Sequence, residues 1–272
     1  MDRDKNLNSI QEIERNILRE FIRICEKHNL RYFLVEGSLL GAVRHKGMIP
    51  WDDDIDVALY REDYEKFMDV VRDELADGYD CKSWRWNNDY IECMTKIVDT
   101  RHTVRSNAKS QPFEENVWID IFPIDGMPTG KLARKLRRFR LLRKKLFVMW
   151  SDIDHYVTNR KRPKSEEFLI KLAKIFHLNT IINTGRALKA LDRTMAQIPV
   201  SRDGYTVNFL SEYRFATECK TSIYGDGMSI SFDGITAMIP ELPDELLKQE
   251  YGDYMTLPPE ENRYKHQLEL IK

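Results

Sequence analysis

Apolar and polar positions along the chain follow two periods, and these sort it into elements. Ile10, Ile13, Ile17, Leu18, Phe21, Ile22, Ile24 and Cys25 recur at spacings of three and four, which predicts an amphipathic helix over 7–30. Tyr32-Phe33-Leu34-Val35 is a short apolar run that stops at Gly37-Ser38, so a buried strand ends there in a sharp turn. One or two helical turns are expected over Leu39 to Val43. Pro50 closes the next loop, and Asp54-Ile55-Asp56-Val57-Ala58-Leu59 alternates as a strand does. Glu62 to Leu75 is helical again, with Tyr64, Phe67, Met68, Val71 and Leu75 on one face.

Two strands are expected over 79–86 and 90–98, joined by a turn at Asn87-Asn88-Asp89, and another over Val117 to Pro123. Past Pro128 the strand pattern stops, and 130–197 reads as two or three helices broken at Pro163. Short strands return over 204–219. Met228 to Ile239 reads as a hairpin turning at Asp233-Gly234. Pro243 opens a last short helix that ends near Gly252, and a tail follows. The expected division is a catalytic core over 1–128, a helical insert over 129–200 and a β-rich return with the tail over 201–272. Strands and helices do not alternate regularly. The expectation is therefore an α/β fold of the α+β kind, a mixed sheet flanked by helices with a helical insert, rather than a doubly wound parallel sheet.

Composition narrows the function classes. The 272 residues include 43 Lys+Arg and 44 Asp+Glu, for a net charge of -1. That balance excludes a binder of polyanions held by global charge, and no nucleic-acid partner is expected. No apolar run is long enough to span a bilayer. Met1-Asp2-Arg3-Asp4-Lys5 is charged and has no signal-like apolar segment, so a cytoplasmic location is expected. Cys25, Cys81, Cys93 and Cys219 are scattered without metal-type spacing and are expected as small buried residues.

Where the charges sit matters more than their sum. Asp52, Asp53, Asp54 and Asp56 crowd one short stretch. On a strand, Asp54 and Asp56 share a face, and Asp52 joins them only if the strand extends back to it. Paired carboxylates suit Mg²⁺ (or Mn²⁺), which takes a few carboxylates and fills its shell with water and phosphate oxygens. The bland alternative is a solvated acidic turn; it fits poorly because Ile55, Val57 and Leu59 alternate with the acids. Asp120 lies inside the apolar run Trp118-Ile119-Asp120-Ile121-Phe122. It is either a surface acid on a polar strand face or a third carboxylate converging on the first two, where a cation would offset its burial. Between turn and acids lie Arg44, His45 and Lys46. The N–H groups of Gly37-Ser38 at a helix start, the Ser38 hydroxyl and these bases together suit phosphate. The combination describes metal-assisted attack at a phosphoryl group.

A second concentration of charge is basic. Residues 131–145 hold Lys131, Arg134, Lys135, Arg137, Arg138, Arg140, Arg143, Lys144 and Lys145 with no acid, around Leu132, Leu136, Phe139, Leu142 and Leu146. The simplest reading is a helix with its apolar stripe on the core and its basic face in water. The functional reading is peripheral contact with an anionic membrane or a lipid-linked glycan. His28, His102, His155 and His177 show no ligand spacing. His266 lies in the tail, which is a surface tail by default or supplies a general base if it folds back.

The long block from Leu34-Val35-Glu36-Gly37-Ser38-Leu39-Leu40-Gly41 through Arg44-His45-Lys46-Gly47 to Pro50-Trp51-Asp52-Asp53-Asp54-Ile55-Asp56-Val57 resembles the signature of the LicD family. Trp118 to Gly126 resembles its second block, and Tyr251-Gly252-Asp253-Tyr254-Met255 with Leu257-Pro258-Pro259 its C-terminal block. The resemblance spans about Ile17 to His266 and is weak over 130–200. It implies a nucleotidyltransferase-like fold, with Gly37-Ser38 on one turn, Asp54 and Asp56 on the next strand and Asp120 on a later one. Many members have Gly where this chain has Glu36, a difference expected to bear on donor recognition. Lys96 and Thr103 resemble a recurring pair. The family transfers phosphocholine or a similar phospho-alcohol to cell-surface glycans. The resemblance thus implies a CDP-linked donor, release of CMP, a glycan or lipid-linked glycan acceptor, and metal on Asp54, Asp56 and Asp120. Gly37, Ser38, Arg44, His45, Lys46, Trp51 and Lys96 would face the donor. Trp51 either packs behind the loop or covers the base or a quaternary ammonium. Two other classes stay open: a nucleotidyltransferase that uses an NTP and releases pyrophosphate, and a non-catalytic glycan- or nucleotide-binding protein.

Overall fold

The computed structural model describes residues 3–87, 89–106, 113–153, 164–263 and 268–272. Helix α1 (Arg3–Lys27) turns one face inward, with Ile10, Ile17, Leu18, Phe21, Ile24 and Cys25 fully buried. It stops three residues before its predicted end because Asn29 takes a left-handed φ of 53°. The Leu30 N–H then donates to the Cys25 carbonyl at 2.8 Å, a closure that satisfies the helix's last carbonyls. The Phe21 ring packs on Tyr32 and Phe67, 5.2 and 5.3 Å away between centroids, and so ties three elements into one core.

Strand β1 (Tyr32–Leu34) leads into α2 (Glu36–Arg44), and β2 (Asp56–Tyr60) into α3 (Arg61–Glu74). Strands β3 (Tyr79–Lys82), β4 (Thr95–Ser106) and β5 (Phe113–Met127) follow. Helices α4 (Lys131–Ser151), α5 (Lys164–Ile175), α6 (Leu178–Ile181) and α7 (Thr184–Met195) come next. The chain returns through β6 (Tyr205–Val207), β7 (Cys219–Lys220), α8 (Thr221–Tyr224), the hairpin β8 (Met228–Phe232) and β9 (Ile235–Ile239), α9 (Pro243–Tyr251) and β10 (Leu268–Leu270).

Among the described residues eight strands form one sheet along the path β1-β2-β5-β4-β10, with β3 on β4, β6 on β5 and β7 on β6. Among the described strands of this sheet only β2 and β5 pair in parallel. The fold is of the mixed α+β kind. All five residues of β2 are buried, which is what a strand flanked by β1 and β5 and covered on both faces requires. β2 begins at Asp56, so Asp54 lies before the strand and does not share a strand face with Asp56. β4 and β5 run well past their predicted ends and pair across a bulge between Asp99 and Thr103. The expected surface tail returns as β10, antiparallel to β4 over Val104 to Ser106.

The expected hairpin is present, with left-handed φ at both Asp233 and Gly234, as a two-residue turn of this kind demands. The final helix runs from Pro243 to a Gly252 cap. Contrary to the simplest reading of the basic helix, α4 buries Arg137, Leu141, Val148 and Ser151 and leaves Leu132, Leu136 and Phe139 exposed. The Arg137 guanidinium donates to Gln197 Oε1 at 2.7 Å and to the Thr194 and Met195 carbonyls at the end of α7. Capping that helix end with a buried arginine sets the roll of α4. Asn88, His155, Pro163 and His266 lie outside the described residues.

Candidate active site

Sheet register creates the centre of the site. Asp56 on β2 is directly across from Asp120 on β5, and Asp120 from Lys96 on β4. The Asp120 N–H donates to the Ile55 carbonyl at 2.9 Å, which extends the pairing back to the acidic loop. An acid, an acid and a base thus stand in one row across three strands. Asp54 is two residues upstream, half-buried on the wall of the same cavity as Asp56.

Helix α2 anchors this row from one end. The Ser38 Oγ accepts the Asp56 N–H at 2.8 Å and is buried, so Ser38 pins the strand start to the helix start. At Gly37 a Cβ would stand 2.7 Å from Asp52 Oδ2, so only glycine lets that carboxylate approach the first turn. From α1, the Gln11 amide donates to the Ile49 and Asp52 carbonyls at 3.1 and 2.8 Å and clasps the acidic loop. Glu36 makes the turn from β1 into α2 at a φ of 51°, a left-handed conformation that strains a side-chain-bearing residue. It is 7% exposed, and its Oε1 has no hydrogen-bond partner.

A cavity of about 640 Å³ opens here. Its wall takes Glu36, Gly37, Arg44, Trp51, Asp52, Asp54 and Asp56 from the first quarter of the chain. Glu212 and Tyr213 close a second side, and Tyr251, Asp253, Tyr254, Pro258, Glu261 and Arg263 a third. Arg44 donates to the Tyr254 carbonyl at 2.7 Å and to His45 Nε2 at 2.9 Å. The Arg263 guanidinium covers the Trp51 ring at 4.6 Å, and His45 meets that ring edge-on at 5.7 Å. One face of Trp51 is thereby engaged by a cation of the chain itself.

The remaining sequence candidates lie off this wall. Lys46 is exposed, and its Nζ donates to the Val43 carbonyl at 3.3 Å. Lys96 is buried between Glu92 and Glu115, at 3.0 and 3.4 Å, with its Nζ 4.2 Å from the centre of the Trp118 ring. Thr103 bonds through its backbone to Ile271 and Lys272 at the chain's end.

Electrostatics are dominated by negative charge out of water. Burial pushes the Asp120 carboxyl up to about 7 against the pull of Lys96. Glu36 is likewise pushed up to about 7 by burial, with Asp54, Glu212 and Asp120 adding to the rise. Asp56 rises by burial and then by Asp54, Glu36 and Asp120. Burial, and after it Asp54, Asp53, Asp52 and Asp120, also raise Glu14 on α1. The Asp120 Oδ1 is buried with no hydrogen-bond partner, and Asp56 is beside it in register. Such atoms fit a hard divalent cation. Among the described residues no group of three or more His, Cys, Asp or Glu forms a ready ligand set. The unpartnered Asp120 oxygen with Asp56 beside it fits Mg²⁺ or Mn²⁺ as a carboxylate pair on one side, with water and substrate oxygens left to complete the shell.

Tyr251, Asp253 and Tyr254 were signalled by the C-terminal block. Glu212 and Tyr213 had no signal, because they reach the cavity only through the β6 return. Arg263 sits beyond the block, and its place over Trp51 is a tertiary fact.

Comparison with known proteins finds relatives for this chain. Residues 29–127 match the family model described as LicD/FKTN/FKRP, nucleotidyltransferase domain. The lipopolysaccharide cholinephosphotransferase LicD of Haemophilus influenzae is 30% identical over 262 residues, 93% of either chain. The ribitol 5-phosphate transferase FKRP of Homo sapiens is 47% identical over 72 residues, 26% of this chain and 14% of that one. An uncharacterised protein of Rickettsia typhi is 34% identical over 174 residues, 64% of this chain and 53% of its own.

Proposed function

This chain belongs to the LicD family of transferases, and from that premise we propose that it moves phosphocholine, or a similar phospho-alcohol, from a CDP-linked donor to a hydroxyl of a cell-surface glycan, releasing CMP. The observation that carries the reading is the register pairing of Asp56 with Asp120 beside a cavity that also presents Asp54, Arg44 and the first turn of α2. Relatives named for cholinephosphate and for ribitol 5-phosphate share one operation, the transfer of a phosphate that carries an alcohol.

Asp54, Asp56 and Asp120 would hold Mg²⁺ or Mn²⁺, which supplies charge neutralisation to the donor diphosphate and polarises the phosphorus under attack. Arg44 and Arg263 face the cavity as fixed cations for phosphate oxygens. The first turn of α2, where Glu36 and Gly37 line the same cavity, would offer its backbone N–H groups to a phosphate. The acceptor oxygen bonds to the distal phosphorus as the bond to CMP breaks, and the hydroxyl proton passes to a wall carboxylate. Glu36, Glu212, Tyr213 and Tyr251 form an acidic and aromatic side, with the two tyrosine rings 5.0 Å apart. That side suits a quaternary ammonium and favours choline over a neutral polyol.

Asp54→Ala and Asp56→Ala are expected to lower CMP release from CDP-choline by at least about a hundredfold while the far-ultraviolet circular dichroism is unchanged. Near-normal release by either variant contradicts the proposal. Pyrophosphate release from CTP would instead favour an NTP-dependent nucleotidyltransferase.

A further inference from the structure

Helix α4 presents its apolar stripe outward. Leu132, Leu136 and Phe139 are 73, 53 and 66% exposed. With about 3.6 residues per turn they lie opposite Leu141 and Val148, the positions that face the core. Leu142 and Phe147 widen the same surface. Monomeric proteins seldom leave so many large apolar side chains together in water, and patches of this kind mark contact surfaces.

The charge that α4 itself carries is all of one sign. Arg134 and Arg138 are engaged by Glu218 at 3.0 and 2.8 Å, and Arg137 caps α7. Lys131, Lys135, Arg140 and Arg143 are exposed, and none has an ion pair among the described residues. Beside the stripe a groove of about 420 Å³ is lined by Ala133, Leu136, Ile198 and Arg140, with no carboxylate on it.

We propose that this face of α4 docks the protein on an anionic lipid surface. Leu132, Leu136 and Phe139 enter the boundary between headgroups and acyl chains, and the four exposed bases meet lipid phosphates. A second copy meeting the face across a two-fold axis would set bases against bases. A neutral apolar partner would leave them without counter-charge. Anionic lipid satisfies both the stripe and the bases. No helix among the described residues is long and apolar enough to cross a membrane, so the contact lies along the surface.

The test uses the full chain with phosphatidylcholine vesicles made with and without phosphatidylglycerol. Co-sedimentation should be at least roughly tenfold greater on the anionic vesicles and should fall as salt rises. The pair Leu136→Gln with Phe139→Gln should lose that binding about tenfold, and so should Lys135→Ser with Arg140→Ser and Arg143→Ser. The thermal midpoint of each variant should match the parent, since all these side chains are exposed. Equal binding to both vesicles, no binding, or variants that bind like the parent would overturn the proposal. So would a dimer that the same substitutions dissolve while vesicle binding is absent, which would assign the face to a second copy.

Discussion

Asp56 and Asp120 are held side by side on adjacent strands, and burial makes both reluctant to ionise. In an unfolded chain such carboxyls lose their protons near pH 4, whereas folded Asp120 and Glu36 keep theirs up to about 7. The folded chain therefore binds more protons than the unfolded one across that window, and ligand-free stability must fall as pH rises through it. The thermal midpoint should drop between about pH 4 and pH 7, and millimolar Mg²⁺ should recover most of the loss at the upper end. A flat profile, or no response to Mg²⁺, would contradict the cation reading. Asp120→Asn should raise the ligand-free midpoint at high pH while it removes turnover. Gly37→Ala should change stability little, since only the tip of the Asp52 side chain has to move, but should lower activity because its methyl group displaces that carboxylate; a melting series alongside CMP release checks both. Asp54, Asp56 and Gly37 stood out in the sequence because close-set acids and a glycine at a strand end are local signals, and Asp120 because it interrupts an apolar run, although that run alone left a surface acid open. Glu36 stood out there only as the residue before the turn. Its buried, unpartnered oxygen and strained φ depend on packing that no local pattern encodes.

The hairpin β8–β9 was readable from Asp233-Gly234, but its task is tertiary. Asp233 Oδ2 accepts the Met48 N–H at 3.0 Å, and the Asp233 N–H donates to the Lys46 carbonyl at 3.0 Å. Gly47 approaches the Asp233 carboxylate too closely to carry a side chain. The hairpin tip thus fixes the loop between α2 and the acids. Asp233→Ala should cost about 1–3 kcal/mol of stability and raise the donor KM more than it lowers kcat. An unchanged KM would show that the loop needs no such brace. Helix α4 shows the opposite failure of legibility. Its period was visible, but its orientation followed from the Arg137 cap on α7, a contact 57 residues away along the chain. The limits of β4 and β5 were misjudged for a similar reason. Their outer halves contain charged residues that pair with each other, as Arg105 does with Glu114 at 2.9 Å, rather than alternating apolar ones.

Over the whole molecule, a net charge of -1 conceals a polar arrangement: acids line the cavity, and bases with an apolar stripe cover one outer helix. The two ends of the chain meet behind the acids. The Asn6 amide donates to the Leu268 carbonyl at 2.8 Å and accepts the Leu270 N–H at 2.9 Å, while the Leu268 N–H reaches Asp53 Oδ2 at 3.3 Å. Deleting residues 268–272 should therefore lower the thermal midpoint by several degrees and weaken activity together, since one strand supports both the sheet edge and the acidic loop. Loss of neither would contradict that coupling. The mixed α+β class followed from element order, because irregular alternation disfavours a doubly wound sheet. The closing of the cavity by residues beyond 212 did not, because it depends on how the return strands and α9 are placed. The most direct test of the central claim is to incubate the purified protein with CDP-choline, a glycan acceptor and Mg²⁺ and to measure the nucleotide product. CMP, formed in step with phosphocholine on the glycan and lost in Asp56→Ala, is the expected result. No CMP with any CDP-alcohol, or CMP formation that survives Asp56→Ala, would contradict it.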